Sequence, residues 1–188
     1  MSIKKGKAYE LKIADLAFGG KGVAKIDGFA IFVDQAAPGD VVSARVFKKK
    51  KNFAEARIVE TISPSPLRIE PPCPYSGYCG GCKWQFLPYE TQLHYKTNHV
   101  REALEHIGGI KGAQVKPAEA SPEVFGYRNK MEFSCSDRRW LLPEQLGDDT
   151  IEIAFALGLH VPGTFHKVLD IDACLLQPPE GNDILKDV

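Results

Sequence analysis

Residues 16–42, LAFGGKGVAKIDGFAIFVDQAAPGDVV, decide how the first part of the chain folds. Asp27-Gly28 separates VAKI from FAIFV, and an Asp-Gly pair between two apolar runs specifies a two-residue hairpin turn. Pro38-Gly39 closes the second run in the same way. On the N-terminal side, AYELKIADLA alternates Tyr9, Leu11 and Ile13 with Glu10, Lys12 and Ala14, the period of a half-buried strand. On the other side, DVVSARVF and NFAEARIVE supply two more strands, with Lys48, Lys49, Lys50 and Lys51 at the turn between them. Five short strands in about sixty residues predict a small closed or nearly closed barrel.

The chain has 188 residues, 44% hydrophobic and 26% charged, the composition of an ordinary globular protein. Its formal net charge of zero is unevenly spread. Residues 1–62 carry 12 Lys and Arg against 7 Asp and Glu, whereas residues 63–188 carry 12 against 17. A basic front half points to a polyanionic partner, and Lys48–Lys51 are suited to phosphates without reading sequence. No apolar run approaches a membrane span, and the N-terminus lacks the apolar region of a secretory signal. Five cysteines without a signal place the chain in a reducing, cytoplasmic setting, where clustered thiols favour metal over disulfides.

SPSPLRIEPPCP, residues 63–74, holds five prolines and reads as an extended connector that delivers the chain to Cys73. There, CPYSGYCGGC spaces three cysteines as C-x5-C-x2-C, with Gly80 and Gly81 letting the loop curl and its amides reach sulfur. Tyr75, Tyr78, Trp84 and Phe86 flank the thiols as a shield from water. A hydrophobic thiolate pocket suits an iron–sulfur cluster and equally a structural zinc. The fourth ligand is Cys135 or Cys174. Cys135 alternates with Met131 and Phe133 on what reads as the buried face of a strand, a core thiol. Cys174 sits where a strand ends before two prolines, a better place for a ligand. His94, His99 and His106 lack helical metal-site spacing and are expected to face solvent.

LPYETQLHYKTNHVREALEHIGG predicts one long helix, with Tyr89, Leu93, Val100, Leu104 and Ile107 as its buried stripe. GYRNKMEFSCS, RRWLLP, TIEIAFALGLH and FHKVLDIDA then read as four antiparallel strands, Arg128 and Lys130 sharing the face opposite Met131 and Phe133, with Arg138 and Arg139 extending a second basic patch. GNDILKDV reads as a helix just starting, capped by Asn182 or Asp183, so the chain is expected to be a fragment. The whole is an α+β chain: a barrel over 1–62, a linker over 63–74, and an antiparallel-sheet domain over 75–188 carrying the long helix and the cysteine loop.

The stretch 16–42 resembles the TRAM domain, which implies a five-stranded OB-like RNA-binding barrel over about residues 3–62. CPYSGYCGGCKWQFLPYETQLHYK, FGYRNKMEFS and LGLHVPGTFHKVLDIDACLLQ resemble the RNA uracil-5-methyltransferase family. That resemblance implies a [4Fe–4S] cluster on Cys73, Cys79, Cys82 and Cys174 and an rRNA or tRNA partner; the basic residues Lys48–Lys51, Arg128 and Lys130 are the expected contacts to it, and a monomer is expected. It also implies methylation of uridine C5 from S-adenosylmethionine by a C-terminal domain that this sequence does not contain, so the chain alone is expected to be inactive. The alternative is a stand-alone RNA-binding module with a structural zinc or iron–sulfur site; an electron carrier fits the attached basic barrel less well.

Overall fold

The computed structural model describes residues 2–188, which divide into two compact units. The first runs to Glu70 and resumes over Trp84–Ala120; the second comprises Pro71–Lys83 and Ser121–Val188. This differs from a division at a linker over 63–74. The chain crosses between the units three times, and the long helix belongs with the N-terminal sheet.

The first unit is built on a six-stranded sheet: β1 (Ala8–Lys12), β2 (Asp15–Leu16), β3 (Gly22–Ile26), β4 (Phe29–Asp34), β5 (Val41–Lys49) and β6 (Phe53–Ser63), in the order β1-β5-β6-β4-β3-β2. Neighbours are antiparallel except β4 and β6, which run parallel. β1 and β2 lie at opposite ends of that order yet are separated only by Ile13 and Ala14, so the sheet curls until one bent stretch forms both edges. Among the described residues no ladder joins those edges, and the barrel is not closed. The expected first strand is thus two, because Ile13 turns away to accept a hydrogen bond from Gly39 and donate one to Asp40. The Asp27-Gly28 hairpin forms as expected. Both residues take positive φ, 49° and 79°, and Ile26 pairs with Phe29. Ile13, Ala24, Ile31, Val33, Val42, Ala44, Val46, Ala54 and Ala56 fill the interior, each at most 1% exposed.

The segment after β6 is not a free connector. Asp40 is fully buried and accepts hydrogen bonds from the amides of Ala37 and Ser65 and from the guanidinium of Arg68. Arg68 also donates to the carbonyl of Gln35 and lies 5.0 Å over the Phe86 ring. Burial alone would raise the Asp40 carboxyl, but the hydrogen bonds from Arg68, Ser65 and Ala37 and the Arg68 charge outweigh it and hold it below the ordinary value.

Helix α1 (Tyr89–Glu102) follows Pro88 and continues as a π-helical turn over Ala103–Ile107. The expected apolar stripe is not its inner face, since Val100 and Ile107 are 52% and 88% exposed. The helix docks instead through Gln92, Tyr95 and His99, a polar row. Gln92 donates to the carbonyls of Trp84 and Leu87, the His99 ring meets the Leu16 carbonyl at 2.8 Å, and Tyr95 packs by Leu16, Ala37, Phe86 and Leu87. His94 and His106 are exposed as expected; His99 is not.

The second unit has three strands rather than four: β7 (Ser134–Ser136), β8 (Ala156–His160) and β9 (Val168–Asp170), antiparallel in that order. Arg139 makes only an isolated bridge to Val168. Helix α2 (Pro179–Asp187) starts after Pro178, which displaces Asn182 and Asp183 from the expected cap into the helix.

Candidate metal centre and basic surfaces

Three turns bring the cysteine loop together within the second unit. The Ser76 amide donates to the Cys73 carbonyl, and the amides of Tyr78 and Cys79 both donate to the Tyr75 carbonyl. The Gly80 amide donates to the His160 carbonyl of β8 at 3.0 Å, where a Cβ on residue 80 would stand 2.9 Å from that oxygen, so the approach requires glycine. The Gly81 amide points at Cys79 Sγ, 3.3 Å away, as the glycine pair leads one to expect.

Cys174 arrives on the turn between β9 and α2. It is buried, and Asn182 clamps its backbone: Oδ1 accepts from the Cys174 amide at 2.8 Å while Nδ2 donates to the Cys174 carbonyl at 3.3 Å. Asn182 Oδ1 also accepts from Gln177 Nε2. On the loop side, the Tyr75 hydroxyl accepts from the Asp172 amide and donates to the Asp172 carboxylate. Cys174 lies in one apolar cluster with Leu169, Ile171 and Leu176, against which Tyr75, Tyr78, Cys79 and Cys82 pack.

The four cysteines are close enough to act on one another electrostatically. Burial pushes the Cys73 thiol up, opposed by the amides of Tyr75 and Ser76 and reinforced by Cys82 and Cys174. Burial likewise raises Cys79, opposed by the Gly81 amide and reinforced by Cys82, Cys73 and Cys174. Among the described residues, no group of three or more His, Cys, Asp or Glu side chains stands at the spacing that holds a single metal ion.

Two expectations about this region fail. Cys135 is exposed on β7, not a core thiol, because this edge strand spans only three residues and alternation from Met131 does not carry through to it. Trp84 and Phe86 do not shield the thiols; they pack in the first unit with Leu16, Ala37 and Leu87. Asn182 and Tyr75 are the supports that sequence reasoning missed or misassigned. Nothing local marks Asn182, since its partner is defined only once the turn at Cys174 is folded.

The basic residues are distributed as follows. Lys48 and Lys49 end β5 and Lys50 and Lys51 lie in the turn, all exposed. Lys48 pairs with Glu55, which also pairs with Lys21. The hydrogen bonds from Lys21 and Lys48 hold the Glu55 carboxyl below its ordinary value. Among the described residues, Lys49, Lys50 and Lys51 make no ion pair. In the second unit, Arg128 and Lys130 lie in extended chain outside β7 rather than on a strand. Arg128 is half-buried with its amide bonded to the Leu176 carbonyl, and Lys130 pairs with Glu132 at 2.8 Å. Arg139 is committed to Asp170 at 3.2 Å, leaving Arg138 the more exposed of that pair.

Against this geometry, residues 3–59 match the model of the TRAM domain, so the curled sheet of the first unit is a TRAM domain. Over nearly its whole length, the chain is a relative of proteins named as RNA methyltransferases. It is 46% identical over 186 residues to an uncharacterized RNA methyltransferase of Chlorobaculum tepidum, covering 97% of this chain and 38% of that protein. It is 44% identical over 178 residues to one of Porphyromonas gingivalis, covering 93% of this chain and 38% of that protein. Among solved structures, the Pyrococcus abyssi tRNA (uracil-54, C5)-methyltransferase, in complex with S-adenosyl-L-homocysteine, matches with a TM-score of 0.55 and 26% identity over 94% of this chain and 35% of that one. The chain thus spans under two fifths of the length of the curated relatives it matches. Among the described residues, no helix is long and apolar enough to cross a membrane.

Proposed function

We propose that this chain is the RNA-binding and iron–sulfur portion of an S-adenosylmethionine-dependent RNA uridine-C5 methyltransferase that acts in the cytoplasm on rRNA or tRNA. The observation that carries this reading is the similarity to RNA methyltransferases across 97% of the chain, TRAM domain included. In this reading the TRAM domain holds RNA through Lys48, Lys49, Lys50 and Lys51, and the second unit adds Arg128 and Lys130. No residue of this chain is assigned a part in methyl transfer or in binding S-adenosylmethionine.

Cys73, Cys79, Cys82 and Cys174 are the proposed ligands of a [4Fe–4S] cluster. The donor set suits the group: Cys79, Cys82 and Cys174 share a largely apolar cluster, Cys73 lies near enough to Cys82 and Cys174 to feel their charge, and the Gly81 amide is directed at Cys79 Sγ. Held by Cys73, Cys79, Cys82 and Cys174, a cluster would tie the loop to the turn at Cys174 through iron–thiolate bonds. The chain's own residues do the rest: Asn182 holds the Cys174 backbone, Tyr75 bridges to Asp172, and Tyr78 and Leu159 pack against the apolar cluster around Cys174.

The test is a visible spectrum with iron and sulfide analysis on anaerobically purified protein, beside Cys174→Ser and Cys135→Ser. About four irons and four sulfides per chain, lost in Cys174→Ser and kept in Cys135→Ser, is the expected result. Colourless protein holding about one zinc would replace the cluster with a structural zinc site. For the RNA half, alanine at Lys48–Lys51 should weaken binding and lower the salt slope by about 0.7 for each phosphate of a single strand that is no longer neutralised. An unchanged slope removes this turn from the interface.

A further inference from the structure

The two limbs of the cysteine loop are fastened to each other at its base. The chain leaves the first unit after Glu70 and re-enters it at Trp84. At that base the Ile69 amide donates to the Phe86 carbonyl at 3.0 Å, which joins the outgoing limb to the returning one. Arg68 touches both limbs. It belongs to the outgoing limb, and its guanidinium lies 5.0 Å over the ring of Phe86 on the returning one.

Each limb is locked behind this clasp. Arg68 forks onto the Asp40 carboxylate, with Nε at 2.8 Å and Nη2 at 2.7 Å, and Nη2 also donates to the Gln35 carbonyl. The Ser65 hydroxyl donates to the Pro38 carbonyl and accepts from the Leu67 amide. On the returning limb Phe86 and Leu87 are buried, and Gln92 donates to the carbonyls of Trp84 and Leu87. Charge balance for Asp40 requires only a cation; a guanidinium adds a flat face, and that face lies on Phe86. Inside the clasp, Cys73 follows Ile69 by four residues and Cys82 precedes Phe86 by four. Pro71 and Pro72 stiffen the outgoing stretch, so the position of Ile69 is carried to Cys73. With the clasp open, the two outer thiols are joined only through the inner turns; with it closed, they are also joined through a fixed base.

We propose that Arg68, set by Asp40, is a positioning residue for the metal centre: it clasps the base of the cysteine loop and presents Cys73 and Cys82 together to incoming iron and sulfide. The inference rests on the cluster reading above and deepens it, by giving a residue of the first unit a part in assembly. A clasp of this kind lowers the ordering cost of binding, because the outer thiols are already restrained in the metal-free chain. In loaded protein the loop would be held by iron–thiolate bonds as well, so the clasp governs the rate of loading rather than the rate of loss.

The test is reconstitution of the whole metal-free chain with ferrous iron and sulfide under argon, followed by visible absorption, and then loss of colour under a chelator. Arg68→Lys keeps a charge beside Asp40 but cannot both fork onto it and lie flat on Phe86. Phe86→Leu keeps apolar bulk and the backbone hydrogen bond from Ile69 but removes the ring. Ile31→Val weakens the sheet interior away from the clasp and controls for a general loss of stability. Arg68→Lys should load about fivefold more slowly and Phe86→Leu about twofold more slowly, both losing colour at the wild-type rate, whereas Ile31→Val should load as the wild type does. Phe86→Leu serves alone if Arg68→Lys does not melt cooperatively. Wild-type loading rates in the folded clasp variants, or equally slow loading in Ile31→Val, would overturn the clasp while leaving the cluster reading intact. A wild-type chain that takes up neither iron nor sulfide would overturn both.

Discussion

The two units solve the problem of holding a fold together in opposite ways. The TRAM sheet has strands of up to eleven residues and an apolar centre in which eight side chains are completely buried. The second unit has no strand longer than five residues, and of the six residues at its centre only Leu169 is less than 2% exposed. Where the first unit places valine, isoleucine and alanine, the second places Cys174, with Cys79 and Cys82 packed against it. The first is held by burial, by ladder hydrogen bonds and by the buried Asp40–Arg68 pair. The second has less of both, and its thiols lie where the proposed cluster would add a constraint.

The largest expected effect follows from that contrast. Removing the proposed centre, by Cys174→Ser or by chelation, should raise amide exchange in β8, β9 and the cysteine loop on the order of a hundredfold or more. β4, β5 and β6 should keep their protection. Equal loss in both units would break the comparison. Next comes the one ionic device in the core of the sheet unit. Asp40→Ala strands the Arg68 guanidinium and the Ser65 amide and should cost about 3 to 5 kcal/mol, measured by denaturant unfolding of the TRAM sheet, with the second unit's exchange unchanged.

The same carboxylate sets an acid response. Because Asp40 is held below its ordinary value of 3.8, its contribution is complete above about pH 4 and is lost as the pH falls through the lowered value. Thermal melts between neutral pH and pH 3 should therefore show the sheet unit losing stability at the acid end, and Asp40→Asn should show a flatter profile. The smallest effect sharpens the comparison on the other side. Cys135→Ser should leave stability within about 0.5 kcal/mol and cluster content unchanged, because this thiol is exposed. A larger loss would mean that β7 contributes more to the second unit than its three residues indicate.

Local signals are legible in the sequence and long-range ones are not. Asp27-Gly28 announces its hairpin because a two-residue turn requires positive φ at both positions, a demand met by those two residues alone. The division of the first strand at Ile13 depends on Asp40, 27 residues away, and leaves no local mark. For α1, apolar periodicity selects Val100 and Ile107, yet the docking face is Gln92, Tyr95 and His99, and the carbonyls of Trp84, Leu87 and Leu16 meet two of these side chains. Hydrophobic pattern cannot report a face that docks by hydrogen bonds. Cys174 is separable from Cys135 because strand ends can be read from prolines, but alternation sets Cys135 aside for the wrong reason. Its thiol is exposed rather than buried in the core.

The clamp on Cys174 also has a consequence in time. Three of the four thiols leave the ribosome together, but the fourth follows Cys82 by 92 residues and Asn182 follows eight later. At about 5 to 20 residues per second, that gap lasts roughly 5 to 20 seconds. Through that interval the TRAM sheet is already complete while Cys73, Cys79 and Cys82 stand without Cys174. A centre on these cysteines would close only after β8, β9 and the turn behind them exist, so its assembly would report that this stretch of the second unit has been made.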